Sequence, residues 1–74
     1  MNLDYYKTFY YVALSKNFTK AAELLGNNQP NVTRSMNNLE VGLGCRLFAR
    51  SNRGVPLTPI GEQLFQYVSA AMNN

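Results

Sequence analysis

The sequence predicts a small, mainly α-helical domain in which three helices precede a two-stranded hairpin and a further helix ends the chain. Two observations predict this fold class. Apolar residues recur at steps of three and four along most of the chain, which is the period of a helix with one buried face. After residue 44, two short segments with β-type residues instead flank a turn that contains Gly54. The 74 residues are enough for one domain with a compact core.

The first two helices are predicted from apolar spacing and from residues that begin and end helices. Apolar and aromatic side chains between Leu3 and Leu14 fall on one helical face. Thr19 is expected to be the N-cap of a short second helix, since its hydroxyl can accept from a free N–H group of the first turn. Gly26 follows Leu25 where a helix end favours a left-handed residue, so this helix is expected to end near Leu25.

The third helix is predicted to begin beside a proline. Asn28 is the expected N-cap, which makes Gln29 and Pro30 the first two helical residues. Proline costs little there because the first-turn N–H groups have no intrahelical partner to lose. Gly44 is the expected left-handed residue at the C-terminal end. The predicted buried stripe of this helix consists of Val32, Met36, Leu39 and Leu43.

The segments RLFAR and GVPLT, on either side of SNRG, predict a hairpin over about residues 46–57. Pro56 fits an edge strand, where its missing N–H group is not needed. Thr58 is expected to cap a last helix that has Pro59 at its first position and ends near Met72. The apolar side of that helix could close the domain's own core or pair with a second chain. It consists of Ile60, Leu64, Tyr67, Val68 and Ala71.

The net charge of +3 is concentrated in the middle of the chain. From Lys16 to Arg53 there are six basic side chains and two acidic ones, Glu23 and Glu40. Such a distribution is the electrostatic footprint expected for an acidic partner. A solvated basic surface accounts for it equally well, so charge alone leaves both interpretations open.

Composition disfavours several classes of function. The chain has no histidine and a single cysteine, Cys45, so neither a metal site nor an internal disulfide is expected. No candidate nucleophile has an apparent base, and we therefore expect no enzyme and no cofactor. Cys45 is expected to be a small packed residue. The N-terminal segment lacks a signal peptide and a continuous apolar run, which predicts a cytoplasmic protein without a membrane partner.

The second and third helices, joined by the tight turn GNN, form a helix-turn-helix pattern at about residues 18–37. In that arrangement the N-terminal part of the later helix enters the major groove of double-stranded DNA. A generic surface helix would mix glutamate with lysine, whereas this one has no carboxylate before Glu40. Its outer side carries groups suited to base edges, namely those of Asn31, Thr33, Arg34, Asn37 and Asn38.

Together, the stretches FTKAAELL, QPNVTRSMNNLEVGLGCRLFAR and RGVPLTPIGEQL resemble the N-terminal DNA-binding domain of LysR-type transcriptional regulators. The resemblance covers nearly the whole chain. It implies a winged helix-turn-helix domain at residues 1–58, with the wing at about 46–57, and a linker and dimerisation helix at residues 59–74. The implied function is sequence-specific binding of double-stranded DNA in transcription regulation.

The resemblance also implies partners. The regulator would be a homodimer through the linker helix, with the apolar side from Ile60 to Ala71 as the contact. An effector-binding domain normally follows that helix, and this chain is expected to be the isolated DNA-binding domain without it. A small-molecule co-inducer would therefore act only through the absent domain.

By position, the resemblance places the helix from Gln29 to Leu43 in the major groove and Arg53 of the wing in the minor groove, with Thr19 on a phosphate. Two positions depart from the family pattern, since Asn27 stands where an apolar residue is usual and Asn28 where serine is usual. The predicted DNA-binding residues are Thr19, Asn28, Gln29, Pro30, Asn31, Thr33, Arg34, Asn37 and Arg53.

Some assignments stay open in the sequence. Arg46 and Arg50 are weaker candidates for DNA contact, since either could instead pair with Glu40, which is expected to lie beyond the groove, or cover the wing. Lys16 and Lys20 could contact phosphate or simply face water. The whole chain could instead be a protein-interaction module with an incidental basic face, or a winged helix of another family. Salt dependence of duplex binding separates a DNA-binding protein from an interaction module.

Overall fold

Four helices form most of the domain. The structure, a computed structural model, describes residues 3–51 and 54–73. In chain order the helices are α1 (Leu3–Ser15), α2 (Phe18–Leu25), α3 (Gln29–Leu43) and α4 (Pro59–Met72). Helix α1 packs against each of the other three helices, and α2 also packs against α3. The prediction of a mainly α-helical domain is therefore confirmed.

One predicted helix cap is wrong. Asn17, not Thr19, caps α2, because the Asn17 side chain accepts from the backbone N–H group of Lys20 at 2.9 Å. Asn17 has the extended backbone that an N-cap needs, whereas Thr19 already lies inside the helix. Both residue types cap helices well, and the sequence alone does not say at which of the two the backbone turns. The helix consequently starts before Thr19.

The other predicted caps are confirmed. Asn28 is the N-cap of α3 and accepts from Asn31 N at 2.9 Å, with Pro30 in the first turn. Gly26 and Gly44 end α2 and α3 in the left-handed region, at φ values of 66° and 73°. Thr58 caps α4 by accepting from the N–H group of Gly61 at 3.0 Å. Gly26 and Asn28 therefore fix the two ends of the turn between α2 and α3.

The core lies where α1, α2 and α3 meet the segment that follows α3. Phe48 is its centre, with ring centroids 5.5 Å from Phe9 of α1 and 5.8 Å from Phe18 of α2. Stacking of Phe65 on Tyr10, with 5.7 Å between ring centroids, attaches α4 to α1. The buried apolar side chains also include Val12, Ala21, Ala22, Val32, Met36, Leu39 and Leu47.

Some apolar residues of the predicted helical faces are not buried. Leu3 and Leu14, at the two ends of the α1 stripe, are 83% and 53% exposed, and Leu43 at the end of the α3 stripe is 39% exposed. Spacing identifies one side of a helix, but the neighbouring elements decide how far along that side the contact extends. The stripes are thus right in their middle and wrong at their ends.

The segment between α3 and α4 doubles back as predicted but forms little sheet. Phe48 pairs with Leu57, and Ser51 with Gly54, each as an isolated antiparallel bridge. Ala49 N donates to the carbonyl of Pro56 at 2.8 Å. No longer strand occurs in residues 3–51 and 54–73, so the predicted two-stranded wing is not confirmed as a sheet.

Two residues limit the pairing of this hairpin. Pro56 has no N–H group to donate to the facing segment. Val55 N donates at 3.1 Å to the carbonyl of Lys16, at the turn between α1 and α2, instead of to the opposite side of the hairpin. Lys16 itself has a φ of 56°, a left-handed conformation that is uncommon outside glycine. The Val55–Lys16 hydrogen bond therefore attaches the returning side of the hairpin, close to its turn, to the segment between α1 and α2.

The described part of the chain contains neither a helix suited to a membrane nor a candidate metal cluster. No helix there is long and apolar enough to cross a membrane. No group of three histidine, cysteine, aspartate or glutamate side chains in those residues is placed to hold a metal ion.

Candidate nucleic-acid interface

The turn between α2 and α3 presents the first turns of α3 to solvent. Gln29, Pro30 and Arg34 are exposed, as are Asn37 and Asn38 further along the helix. Asn31 and Thr33 are half-buried on the same helix. The opposite side of α3 is the one that packs into the core, through Val32, Met36 and Leu39. The structure thus brings together the side chains predicted to contact bases and leaves most of them accessible.

Hydrogen bonds join these side chains along α3. Gln29 Nε2 donates to Thr33 Oγ1 at 2.6 Å, one helical turn away. Asn31 Nδ2 donates to Asn27 Oδ1 at 3.1 Å, and Asn31 Oδ1 accepts from Arg34 Nη1 at 3.0 Å. Neighbours at these spacings face each other on a helix, so each side chain limits the conformations of the next.

Asn27, one of the two departures from the family pattern, has a clear role in the turn. Its side-chain oxygen accepts from the backbone N–H group of Asn28 at 2.8 Å as well as from the Asn31 side chain. An apolar residue could make neither hydrogen bond. The turn before α3 is therefore held by polar contacts, and Asn27 is exposed as those contacts require.

Glu40 is a buried carboxylate, and sequence reasoning missed its importance. Its side chain is 7% exposed, and Oε2 accepts from the backbone N–H groups of Leu47 and Phe48 at 2.8 and 3.2 Å. Glu40 therefore attaches the start of the hairpin to the C-terminal half of α3. Its position four residues after the buried Met36, on the same side of α3, was a usable signal, because a carboxylate on the buried side of a helix needs donors nearby.

Arg46 and Arg50, which follow α3, both approach this carboxylate. Arg50 Nη2 lies 3.5 Å from Glu40 Oε1, and Arg46 Nε lies 3.8 Å from Oε2. The Arg46 side chain is 67% exposed, whereas that of Arg50 is 38% exposed. Of the alternatives that the sequence left open, the structure contains the pairing of both arginines with Glu40.

Arg50 has two further contacts. Its guanidinium carbon lies 5.6 Å from the ring centroid of Phe18, and Nη2 also donates a short hydrogen bond to Asn37 Oδ1. Arg50, a residue of the hairpin, thereby contacts both α2 and α3. Asn37 is thus a predicted DNA-binding residue that contacts Arg50 directly.

The remaining predicted residues lie around α3. Thr19 and Lys20 are exposed on α2, and Lys16 is exposed just before it. The prediction for Arg53 falls on a residue outside those that the structure describes. On α4 the predicted dimerisation residues divide, because Ile60, Tyr67 and Ala71 are exposed and Leu64 is half-buried. Val68 is 9% exposed and belongs to the domain's own core.

A short turn, a capped and exposed polar helix and a hairpin beside it define a helix-turn-helix domain of the DNA-binding type. The family model described as bacterial regulatory helix-turn-helix protein, lysR family, matches residues 3–62. The chain belongs to this family of transcription regulators.

Individual relatives and solved structures agree with the family. The chain is 46% identical over 67 residues to the HTH-type transcriptional regulator YofA of Bacillus subtilis (strain 168), covering 90% of this chain and 24% of that protein. It is 38% identical over its full length to the HTH-type transcriptional regulator BenM of Acinetobacter baylyi (strain ATCC 33305 / BD413 / ADP1), covering 24% of that protein. The chain therefore spans about a quarter of the length of these relatives.

Two solved structures have nearly the same fold. The crystal structure of the BenM_DBD/catB site 1 DNA complex has a TM-score of 0.94 at 38% identity, covering 100% of this chain and 80% of that chain. The crystal structure of the CbnR_DBD–DNA complex has a TM-score of 0.91 at 36% identity, covering 99% of this chain and 84% of that chain. Both are complexes of a DBD with DNA.

Proposed function

We propose that this chain binds double-stranded DNA sequence-specifically, as the DNA-binding domain of a LysR-type transcription regulator, with α3 (Gln29–Leu43) in the major groove. The observation that carries the proposal is the exposed side of α3. It presents amide, hydroxyl and guanidinium groups and no carboxylate from Gln29 to Leu39. These groups match the donors and acceptors of base edges, and the lack of carboxylate avoids repulsion from phosphate.

Individual contacts follow from position. Arg34 reaches a base edge from the second turn of α3, where a guanidinium suits guanine. Gln29, Pro30, Asn31, Thr33 and Asn37 extend the contact along the helix, and Thr33 adds a methyl group for thymine. Asn28 caps the helix at the groove edge, and Thr19 of α2 binds a phosphate. The helix N-terminus itself favours a phosphate nearby.

The hairpin acts as a wing in this proposal. Its outer end carries Arg53, which reaches into the minor groove beside the major-groove contact of α3. An arginine in a narrow minor groove is attracted by its negative potential and so responds to DNA shape. Support comes from two attachments of the hairpin. Glu40 binds its base at Leu47 and Phe48, and the carbonyl of Lys16 binds its returning side at Val55, close to the turn.

The active form is a homodimer through α4. The exposed part of its apolar side, with Ile60, Tyr67 and Ala71, pairs with the same helix of a second copy, so that two α3 helices meet two half-sites. The whole protein is a cytoplasmic regulator, not an enzyme, and its co-inducer binds an effector domain beyond this one. Solved DNA complexes of related DNA-binding domains support the DNA contact.

The proposal is tested by fluorescence anisotropy of the domain on a pool of random duplexes at low and moderate salt. We expect log K to fall linearly with log salt concentration, with a slope of about −0.9 for each phosphate neutralised. Arg34→Ala should reduce sequence preference more than total affinity. Lys7→Ala is the matched control, since it removes the same charge from α1 and should leave the preference unchanged.

The opposite results are informative as well. Absence of binding at low salt, both for the domain and for a form with a dimerising tag, would contradict DNA binding and favour a protein-interaction module. Binding that depends on salt but has the same sequence preference in Arg34→Ala would contradict the assignment of α3 as the base-contacting helix.

A further inference from the structure

The contact with Arg50 fixes which end of the Asn37 side-chain amide is free. A guanidinium has donors and no acceptor, so the Asn37 oxygen is the atom that faces it. The Asn37 amide nitrogen has no hydrogen-bond partner within residues 3–51 and 54–73, and Asn37 is exposed on α3. Asn37 therefore presents an N–H donor to a molecule that approaches this side of the helix.

Arg50 is itself held firmly enough to fix its neighbour. The carboxylate of Glu40, 7% exposed and bound to two backbone N–H groups, lies on one side of it. The centroid of the Phe18 ring lies 5.6 Å from the guanidinium carbon of Arg50. Moving Arg50 toward a phosphate would take it away from a buried carboxylate, which is unfavourable because that charge would lose a partner in a poorly hydrated place.

We propose that Arg50 is a positioning residue for base recognition, which orients Asn37 so that its amide nitrogen donates to an acceptor on a base edge. The inference rests on the proposed function and names a specificity determinant of the same site. Guanine presents two acceptors, N7 and O6, in the major groove, whereas cytosine presents a donor. At the base pair that Asn37 contacts, this orientation favours guanine over adenine, whose one acceptor, N7, lies beside a donor.

The same orientation disfavours the usual pairing of asparagine with adenine. That pairing needs the amide to donate to N7 and to accept from the N6 amino group with its oxygen. In this domain the oxygen is turned toward Arg50. Losing the guanidinium frees the amide to rotate, and the preference at that base pair shifts from guanine toward adenine.

The test compares base preferences on the randomised duplex pool for Arg50→Lys, Asn37→Ala and the double variant. Lysine keeps the positive charge, so the salt slope should not change. It lacks the planar guanidinium that spans Asn37, Glu40 and the Phe18 ring. At the base pair whose preference responds to Asn37→Ala, we expect Arg50→Lys to lower the guanine-to-adenine ratio about two- to tenfold, as loss of one fixed side chain implies.

The double variant and a control separate positioning from a general effect on stability. In the Asn37→Ala background, Arg50→Lys should cause no further change in base preference. Arg46→Lys is the matched control, since Arg46 meets the same Glu40 carboxylate and makes no hydrogen bond to Asn37. Its preferences should equal those of the unaltered domain. All variants are compared below the lowest of their measured Tm values.

Each other outcome has a defined meaning. Unchanged preferences in Arg50→Lys, an equal change in the Asn37→Ala background, or no base pair that responds to Asn37→Ala would overturn the positioning role while leaving DNA binding intact. Failure of the unaltered domain to bind duplexes in a salt-dependent way would instead overturn the proposed function, and this inference with it.

Discussion

At the scale of single residues, Glu40 connects α3 to the hairpin. Its carboxylate satisfies two backbone N–H groups at the start of the hairpin and faces two arginines. A buried carboxylate of this kind is tolerated because its donors are already in place. Without Glu40, the two N–H groups would be buried without a hydrogen bond. The two arginines would lose their counter-charge.

Replacing Glu40 should therefore destabilise the domain. We expect Glu40→Ala to lower the free energy of unfolding by about 2–4 kcal/mol, because it leaves two N–H groups unsatisfied and Arg50 unpaired. Urea unfolding followed by circular dichroism measures the change. Glu23→Ala, at an exposed position of α2, is the control and should change stability by less than about 0.5 kcal/mol. Equal midpoints for both variants would contradict the anchoring role.

At the scale of secondary-structure elements, the helix-turn-helix depends on where each helix begins. Asn17 caps α2 and Asn28 caps α3, so in each helix of the pair an asparagine side chain accepts from one free N–H group of the first turn. The start of α4 depends on Gly61, since a Cβ atom there would lie 2.2 Å from the carbonyl oxygen of Leu47. Helix α4 can approach the hairpin closely because this position has no side chain.

The corrected cap of α2 gives a prediction that separates structure from binding. Asn17→Ala should lower the free energy of unfolding by about 1 kcal/mol, the usual cost of losing an N-cap. Thr19→Ala should cost little stability, because Thr19 does not cap the helix, but should weaken duplex binding if its hydroxyl contacts a phosphate. Thermal unfolding and anisotropy on the same duplex measure the two effects. A larger loss of stability for Thr19→Ala than for Asn17→Ala would restore the original assignment.

At the scale of the whole molecule, α4 has a packed part and an exposed part that its sequence does not distinguish. Val68 lies in the domain's core and Phe65 stacks on Tyr10, so one part of the helix closes the domain. Tyr67 is 78% exposed and Ile60 is 51% exposed, which leaves another part without intramolecular cover. This exposed part is the one available to a second copy.

A charge in that exposed part should prevent dimerisation without unfolding the domain. We expect Tyr67→Asp to be monomeric at concentrations where the unaltered domain is dimeric, with little change in Tm. Its affinity for a duplex with two half-sites should fall about tenfold or more, and its affinity for a single half-site should not change. Gln66→Asp adds the same charge at the neighbouring exposed position and is the control.

Sedimentation equilibrium and anisotropy on one- and two-half-site duplexes make these measurements. A monomeric unaltered domain that nevertheless binds both half-sites cooperatively would argue against α4 as the dimer contact. Equal loss of dimer in Gln66→Asp would point to a general effect of charge on α4 rather than to the side of the helix that carries Tyr67.

The helices and most of their boundaries could be predicted from the amino-acid sequence. Asn28, Pro30 and Gly44 specify where α3 begins and ends, because capping and left-handed glycine are local properties of the backbone. The same stretch specifies the exposed polar side of α3, since its apolar residues repeat at a helical period. The class of protein could be predicted for the same reason, as its characteristic residues lie at fixed spacings along one short chain.

Burial, and contacts between residues that are far apart in the chain, could not be predicted and depend on the tertiary structure. That Glu40 is buried follows from the hairpin folding back over α3, and that Arg50 meets Asn37 follows from the placement of Phe18 beneath its guanidinium. The exposure of Leu3 and Leu43, and the division of α4 into a packed and an exposed part, likewise depend on how far neighbouring elements extend. Local sequence sets backbone conformation, whereas burial and side-chain pairing arise only when separate segments meet.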